Sequence, residues 1–160
     1  MHIRVSLARQ VLELYGDAGQ LLATYPVSSA AKGAGEASGS YCTPRGRHLI
    51  RAKIGGDQPL NAVFRGRRPT GEIFGPELAA QFPGRDWILS RILWLSGREP
   101  GFNRLGKVDT MARYIYIHGT GEEDRLGSPV SHGCIRMANR DIAELFDLVP
   151  AFTEVEIVED

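Results

Sequence analysis

Long apolar runs are missing from this chain. No stretch approaches the roughly 18–20 apolar residues that carry a helix across a bilayer, so no membrane span is expected. The N-terminal "MHIRVSLARQVLELYGDAG" also lacks the apolar segment and small-residue cleavage site of a secretory signal. With Met1 as the natural start, the expectation is a cytoplasmic protein; a longer precursor would make it periplasmic. An excess of one charge is missing too. The 19 basic residues balance 19 acidic ones, so bulk charge builds no polyanion surface and no nucleic-acid partner is expected. The arginines of "FRGRRPTG" (Phe64 to Gly71) read as a solvated loop. Cysteine is scarce: Cys42 and Cys134 stand alone, and without an export signal both read as free thiols. There is no CxxC and no HExxH pair, which removes the common spacing signatures of zinc. Repeats and linkers are absent, so residues 1–160 read as one domain.

What is present is alternation. "HIRVSLA", "QVLELY" and "QLLATYPV" alternate apolar and polar positions around the turn "GDAG", as a β-hairpin over the first 28 residues does. Ser28 to Ser40 is small and glycine-rich and reads as a flexible loop. "HLIRAKI" (His48 to Ile54) is a further strand. Gly55 to Pro83 reads as long loops with short strands or a short helix near "GPELAAQF". "DWILSRILWLSG" (Asp86 to Gly97) is apolar on both alternating faces, which fits a central strand covered on both sides. "ARYIYIHG" (Ala112 to Gly119) is the clearest strand, with Ile115 and Ile117 on one face and Tyr114, Tyr116 and His118 on the other. A helix follows residue 138, with Asn139 as its cap and Ile142, Leu145, Phe146 and Val149 on one face. Pro150 ends it, and "TEVEIVE" closes the chain as a strand.

Two residues in this frame suit chemistry. His118 ends a strand on the face away from its isoleucines, and Cys134 follows in the turn "VSHGCIRM". A thiol attacks as thiolate and needs a base within hydrogen-bond reach, roughly 3–4 Å. Gly133 permits a tight bend, and the N–H groups of Gly133 and Cys134 are candidates to face a developing oxyanion. A metal site is the rival: His118, His132 and Cys134 supply three ligand types for zinc, with water as the fourth. A buried, inert thiol is the plain alternative for either cysteine. His2 and His48 read as surface or structural.

"YIYIHGTG" followed by "SPVSHGCIRM" resembles the catalytic signature of the L,D-transpeptidase (YkuD-type) family. "TPRGRHLI" resembles that family's upstream Thr-Pro-x-Gly segment, and "NRDIAELFDLVPAFTEVEIVE" its closing helix and strand. The resemblance implies a mostly β fold: a single mixed-sheet sandwich with one or two short helices. It implies Cys134 as nucleophile, His118 as general base and acid, and His132, Gly133 and Cys134 as the oxyanion stretch. Ser131 and Arg136 match family positions around the donor or the turn, and Tyr116 and Gly119 join them as substrate-lining positions. No cofactor or metal is implied. The implied partner is a peptidoglycan stem tetrapeptide, attacked at the L-centre of its third residue (usually diaminopimelate) with loss of D-alanine. A carbapenem β-lactam is then expected to acylate Cys134. If water resolves the thioester, the enzyme is an L,D-carboxypeptidase serving muropeptide recycling, which a cytoplasmic location favours. If an amine resolves it, the product is a 3-3 crosslink or an exchanged D-amino acid. The middle, "GRRPTGEIFGPELAAQFPGRDW", is a candidate lid whose arginines bind stem carboxylates.

Overall fold

The structure, a computed structural model, describes all of residues 1–160. The N-terminal alternation builds three strands rather than two: β1 (His2–Ser6), β2 (Val11–Tyr15) and β3 (Leu21–Ser28), an antiparallel meander. Ile3, Val5, Leu12, Leu14, Tyr25 and Val27 all turn inward, as period-2 alternation requires. β4 (Gly46–Ile54) follows, then a hairpin of β5 (Ala62–Arg65) and β6 (Arg68–Ile73), and the short helix α1 (Pro76–Gln81). The long strand β7 (Ile88–Gly97) leads to β8 (Tyr116–Gly119), β9 (Ile135–Met137), helix α2 (Asn139–Leu148) and β10 (Glu154–Val158).

All ten strands form one sheet, ordered β4-β10-β1-β2-β3-β9-β8-β7-β5-β6. β4 also pairs with β7, so the sheet closes on itself, and the β5–β6 hairpin extends it beyond β7 as an edge. The sheet is mixed: β1 with β10 and β8 with β9 run parallel, and the other pairs are antiparallel. β7 is the shared wall. It faces the main core with Leu93 and Leu95 and a second cluster with Ile92, as its two apolar faces predicted. The main core contains 19 buried residues, including Ile142, Leu145, Phe146 and Val149 of and beside α2. Each large apolar side chain contributes about 1.5–3 kcal/mol when fully buried, so this cluster carries most of the stability.

Three expectations are corrected. Asn139 is the first residue of α2 rather than its cap; Ala138 holds the cap position. Asn139 is turned instead toward Ser90, Thr120 and Glu123, with which its side chain bonds. The strand expected from Ala112 begins only at Tyr116, because Tyr114 takes a left-handed backbone (φ 58°) and ends a turn. The Ser28–Ser40 segment is not a free loop. It is bridged to the chain at Ala30 and Ala34 and held by the Arg113 side chain, which bonds Gly35 and Glu36 carbonyls and Ser40 Oγ.

Candidate active site

Two short parallel strands position the chemistry. β8 and β9 pair with Ile117 opposite Ile135 and His118 opposite Arg136. Ile117, Ile135 and Met137 are fully buried in the main core. Alternation therefore sends Tyr116 and His118 of β8, and Cys134 and Arg136 at β9, to the opposite face. Cys134 packs there beside Tyr116, Ile92 and Trp94.

The Cys134 thiol is fixed by the chain just before β8. It donates to the Tyr114 carbonyl at 3.3 Å and accepts the Tyr116 N–H at 3.3 Å. The residue remains partly exposed, yet the protein packed around the sulfur pushes its thiol up to about 12. Exposure of the residue and acidity of its sulfur are separate matters: the thiolate here lacks solvation. His118 is buried, and desolvation holds its imidazole below the usual range, with Asp86 pulling the other way. Its Nδ1 lies 2.7 Å from the Gly119 carbonyl. A carbonyl only accepts, so Nδ1 carries the proton and Nε2 keeps a free lone pair. Nε2 makes no hydrogen bond within the protein. The thiol and imidazole share one face but are not bonded to each other: the thiol is turned to Tyr114, short of the contact expected from the sequence.

The turn before Cys134 is built for position. Gly133 has φ 133°, a conformation side chains rarely adopt, and a Cβ there would lie 3.3 Å from the Cys42 carbonyl. Protein, rather than open space for substrate, covers this glycine. Its carbonyl accepts from Thr43 Oγ1 at 2.8 Å. Ser131 Oγ donates to the Cys134 carbonyl at 2.5 Å and accepts the Gly133 N–H at 3.2 Å. The Gly133 amide is thus already engaged, which corrects its expected role as an oxyanion donor; the Cys134 amide has no protein acceptor. Ser131 is itself buried and braces the turn. Gly119 is likewise a packing position, since a Cβ there would meet Asn139 Oδ1 at 2.3 Å. Tyr116 is buried, and its hydroxyl accepts from Arg67 Nη1 at 3.0 Å.

Arg136 is also internal, with a side chain 5% exposed. It pairs with Asp86 at 2.9 Å and Glu122 at 3.3 Å, so its charge is consumed in holding the site together. Asp86 reaches His132 as well, at 3.5 Å. Sequence reading missed Asp86. It lies 50 residues from Arg136, and no local spacing announces such a pair. A cleft of about 210 Å³ opens here, lined by His132, Arg136, Asp86, Glu122, Phe74 and Trp87 among others. The zinc arrangement does not assemble: the His132 side chain is 64% exposed and engaged with Asp86, and no group of three candidate ligands comes together. Cys42 is free and partly buried, and its backbone, not its sulfur, touches the Gly133 turn.

A closed mixed sheet that presents a thiol and an imidazole on one face of a parallel strand pair defines an L,D-transpeptidase-like domain. The family model of the YkuD L,D-transpeptidase catalytic domain matches residues 1–157, and the chain belongs to that family. Among curated relatives, the Bacillus subtilis L,D-transpeptidase homologue YqjB is 42% identical over 66 residues, 41% of this chain and 36% of its own length. The "Probable L,D-transpeptidase ErfK/SrfK" of Salmonella typhimurium is 47% identical over 49 residues, 31% of this chain and 16% of its own. The chain thus covers well under half the length of these relatives. Among solved structures, an L,D-transpeptidase from Mycobacterium smegmatis matches 98% of this chain and 57% of its own, with TM-score 0.56 and 19% identity. L,D-transpeptidase 3 from Mycobacterium tuberculosis, in complex with a faropenem-derived adduct, matches 98% and 59%, with TM-score 0.59 and 17% identity. At such identities the likeness is one of fold.

Proposed function

We propose that this L,D-transpeptidase-family enzyme forms a thioester between Cys134 and the acyl group of a peptidoglycan stem tetrapeptide, releasing D-alanine. One observation carries the reading: the Cys134 thiol shares a strand face with a His118 ring whose Nδ1 is pinned and whose Nε2 is open. Burial disfavours the Cys134 thiolate, so in this mechanism the proton leaves sulfur as the new bond forms. The thiol leaves the Tyr114 carbonyl, and its proton passes to His118 Nε2 as sulfur bonds to the carbonyl carbon. The Cys134 amide faces the developing oxyanion, a contribution of about 3–4 kcal/mol for a well-placed donor. The proton on Nε2 then moves to the departing amine as the C–N bond breaks. Asp86 favours the transient imidazolium.

The second half-reaction follows from the acceptor. Our reading is hydrolysis to tripeptide, an L,D-carboxypeptidase activity; the alternative is attack by an amine, giving a 3-3 crosslink or an exchanged D-amino acid. Carbapenem acylation of Cys134 is the accompanying expectation, supported by a structural neighbour, LD transpeptidase LdtMt1, whose structure is a complex with imipenem. The segment 66–87, which carries β6 and α1, is the proposed lid. Its Arg67 stacks on Trp94 at 4.6 Å and Tyr114 at 5.0 Å beside the site.

The test is mass spectrometry of products from purified tetrapeptide, with and without a D-amino acid, using wild type and Cys134→Ala. Tripeptide and D-alanine in both conditions support the hydrolytic reading. Exchanged tetrapeptide replaces it with transfer. Equal turnover by Cys134→Ala overturns the nucleophile assignment.

A further inference from the structure

Behind the Cys134 turn lies a half-buried arginine that the mechanism above does not use. Arg113 donates to the carbonyls of Gly35 at 3.2 Å, Glu36 at 3.3 Å and Cys42 at 2.7 Å, and to Ser40 Oγ at 3.3 Å. All four acceptors are neutral. The Glu36 carboxylate pairs directly with Arg45 at 2.9 Å and acts on Arg113 only from a distance. The Cys42 carbonyl that Arg113 grips is the same one that closes over Gly133. The next residue, Tyr114, supplies the carbonyl that holds the Cys134 thiol.

The charges around the sulfur set the value of this placement. Asp86 opposes a thiolate at Cys134, and Arg136 favours it. These two are ion-paired with each other at 2.9 Å, so their effects largely offset. His118 lies on the same strand face as the sulfur, its ring neutral with Nδ1 on the Gly119 carbonyl. Tyr116 and Tyr114 flank the sulfur on β8 and the preceding turn, and His132 on its own turn is engaged with Asp86. Arg113 makes no salt bridge of its own, with Glu36 within coulombic reach but hydrogen-bonded to Arg45, and it too acts on the sulfur in the favourable direction.

We propose that Arg113 is a positioning residue for the nucleophile: it ties the Gly35–Cys42 loop against the Gly133–Cys134 turn and places a positive charge behind the turn that a Cys134 thiolate would face. Two observations agree with this role. A guanidinium is costly to desolvate, and carbonyl oxygens alone return less than a carboxylate does. Tyr114 also keeps a left-handed backbone, a strain tolerated where the surroundings fix it. The inference rests on Cys134 as the nucleophile. Thiol acidity is readable with a small electrophile, so it fails separately from the stem-peptide reading.

The experiment is the pH dependence of Cys134 alkylation by iodoacetamide, followed by intact mass and peptide mapping, in wild type, Arg113→Met, Arg113→Lys and Ser40→Ala. Thermal melting is recorded for each. Arg113→Met is expected to move the alkylation midpoint upward and slow the reaction about tenfold at pH 8. Arg113→Lys keeps the charge but loses the fork, and is expected to recover most of the rate despite a lower melting temperature. Ser40→Ala removes one contact and no charge, and is expected to leave the midpoint in place. A wild-type profile in Arg113→Met overturns the proposal. So does a midpoint in Arg113→Lys displaced as far as loss of charge would place it, a reading that stands even where Arg113→Met fails to fold.

Discussion

Two histidines of this protein are buried in strands, and they have opposite fates. His48 on β4 and His118 on β8 are each at most 1% exposed. Burial lowers both imidazoles, His48 to about 4. Each ring rests its Nδ1 on a nearby backbone carbonyl, Gly46 at 3.0 Å and Gly119 at 2.7 Å. The second nitrogen separates them. His48 Nε2 is held by Thr110 Oγ1 at 3.0 Å, inside a network with Asn103. His118 Nε2 has no partner in the protein and shares its face with a thiol. Burial and a lowered pKa are common to both rings; the unspent lone pair is what sets His118 apart as the proposed base.

Removal of each ring gives the largest contrast. His118→Ala is expected to lower turnover per folded molecule about 10²–10⁴-fold, the usual loss of a general base, beside a stability cost from its emptied buried site that melting records separately. His48→Ala is expected to show the stability cost alone. It strands Thr110 in a closed interior and costs about 1–3 kcal/mol by urea denaturation, with turnover per folded molecule unchanged. A turnover loss in His48→Ala comparable to that in His118→Ala would end the distinction.

The network around each ring gives the next contrast. Arg136→Met removes the cation between Asp86 and Glu122. It is expected to cost about 3 kcal/mol, the low end for breaking a buried pair, because both carboxylates stay half in water. It also frees Asp86 to act on Cys134, so carbapenem acylation slows. No comparable change of rate is expected from the network of His48.

Acid titration probes both rings at once. The unfolded chain binds a proton at each histidine near pH 6.5, whereas the folded chain resists it. Between pH 6.5 and about 4 the unfolded state therefore binds more protons, and stability falls as pH falls. His48 alone accounts for about 3 kcal/mol across that window. His48→Gln is expected to remove the part of the slope that His48 contributes, leaving that of His118. An unchanged slope in His48→Gln would place the titration elsewhere.

How far the sequence revealed this arrangement depends on the range of each contact. Ile117 and Ile135 declare their strands by alternation, and the helical spacing of Ile142, Leu145 and Phe146 declares α2. His118 and Cys134 stand out because a strand end and a glycine turn are local features. Asp86, Arg113 and the Tyr114 carbonyl were not legible. Each acts through a contact that exists only after β7, β8 and the Gly35–Cys42 loop come together. Ser28–Ser40 reads as flexible for the same reason: its small residues carry no signal of the guanidinium that anchors them. Asn139 reads as a helix cap because its residue type favours that position, yet bonds to Ser90, Thr120 and Glu123 claim its side chain.

The most direct measurement is intact-protein mass spectrometry after exposure to imipenem, with peptide mapping of the adduct. One covalent adduct per chain is predicted on Cys134, with none on Cys42, none in Cys134→Ala, and slow formation in His118→Ala. An adduct that persists in Cys134→Ala, or forms at the wild-type rate in His118→Ala, would contradict a Cys134 nucleophile served by the open nitrogen of His118.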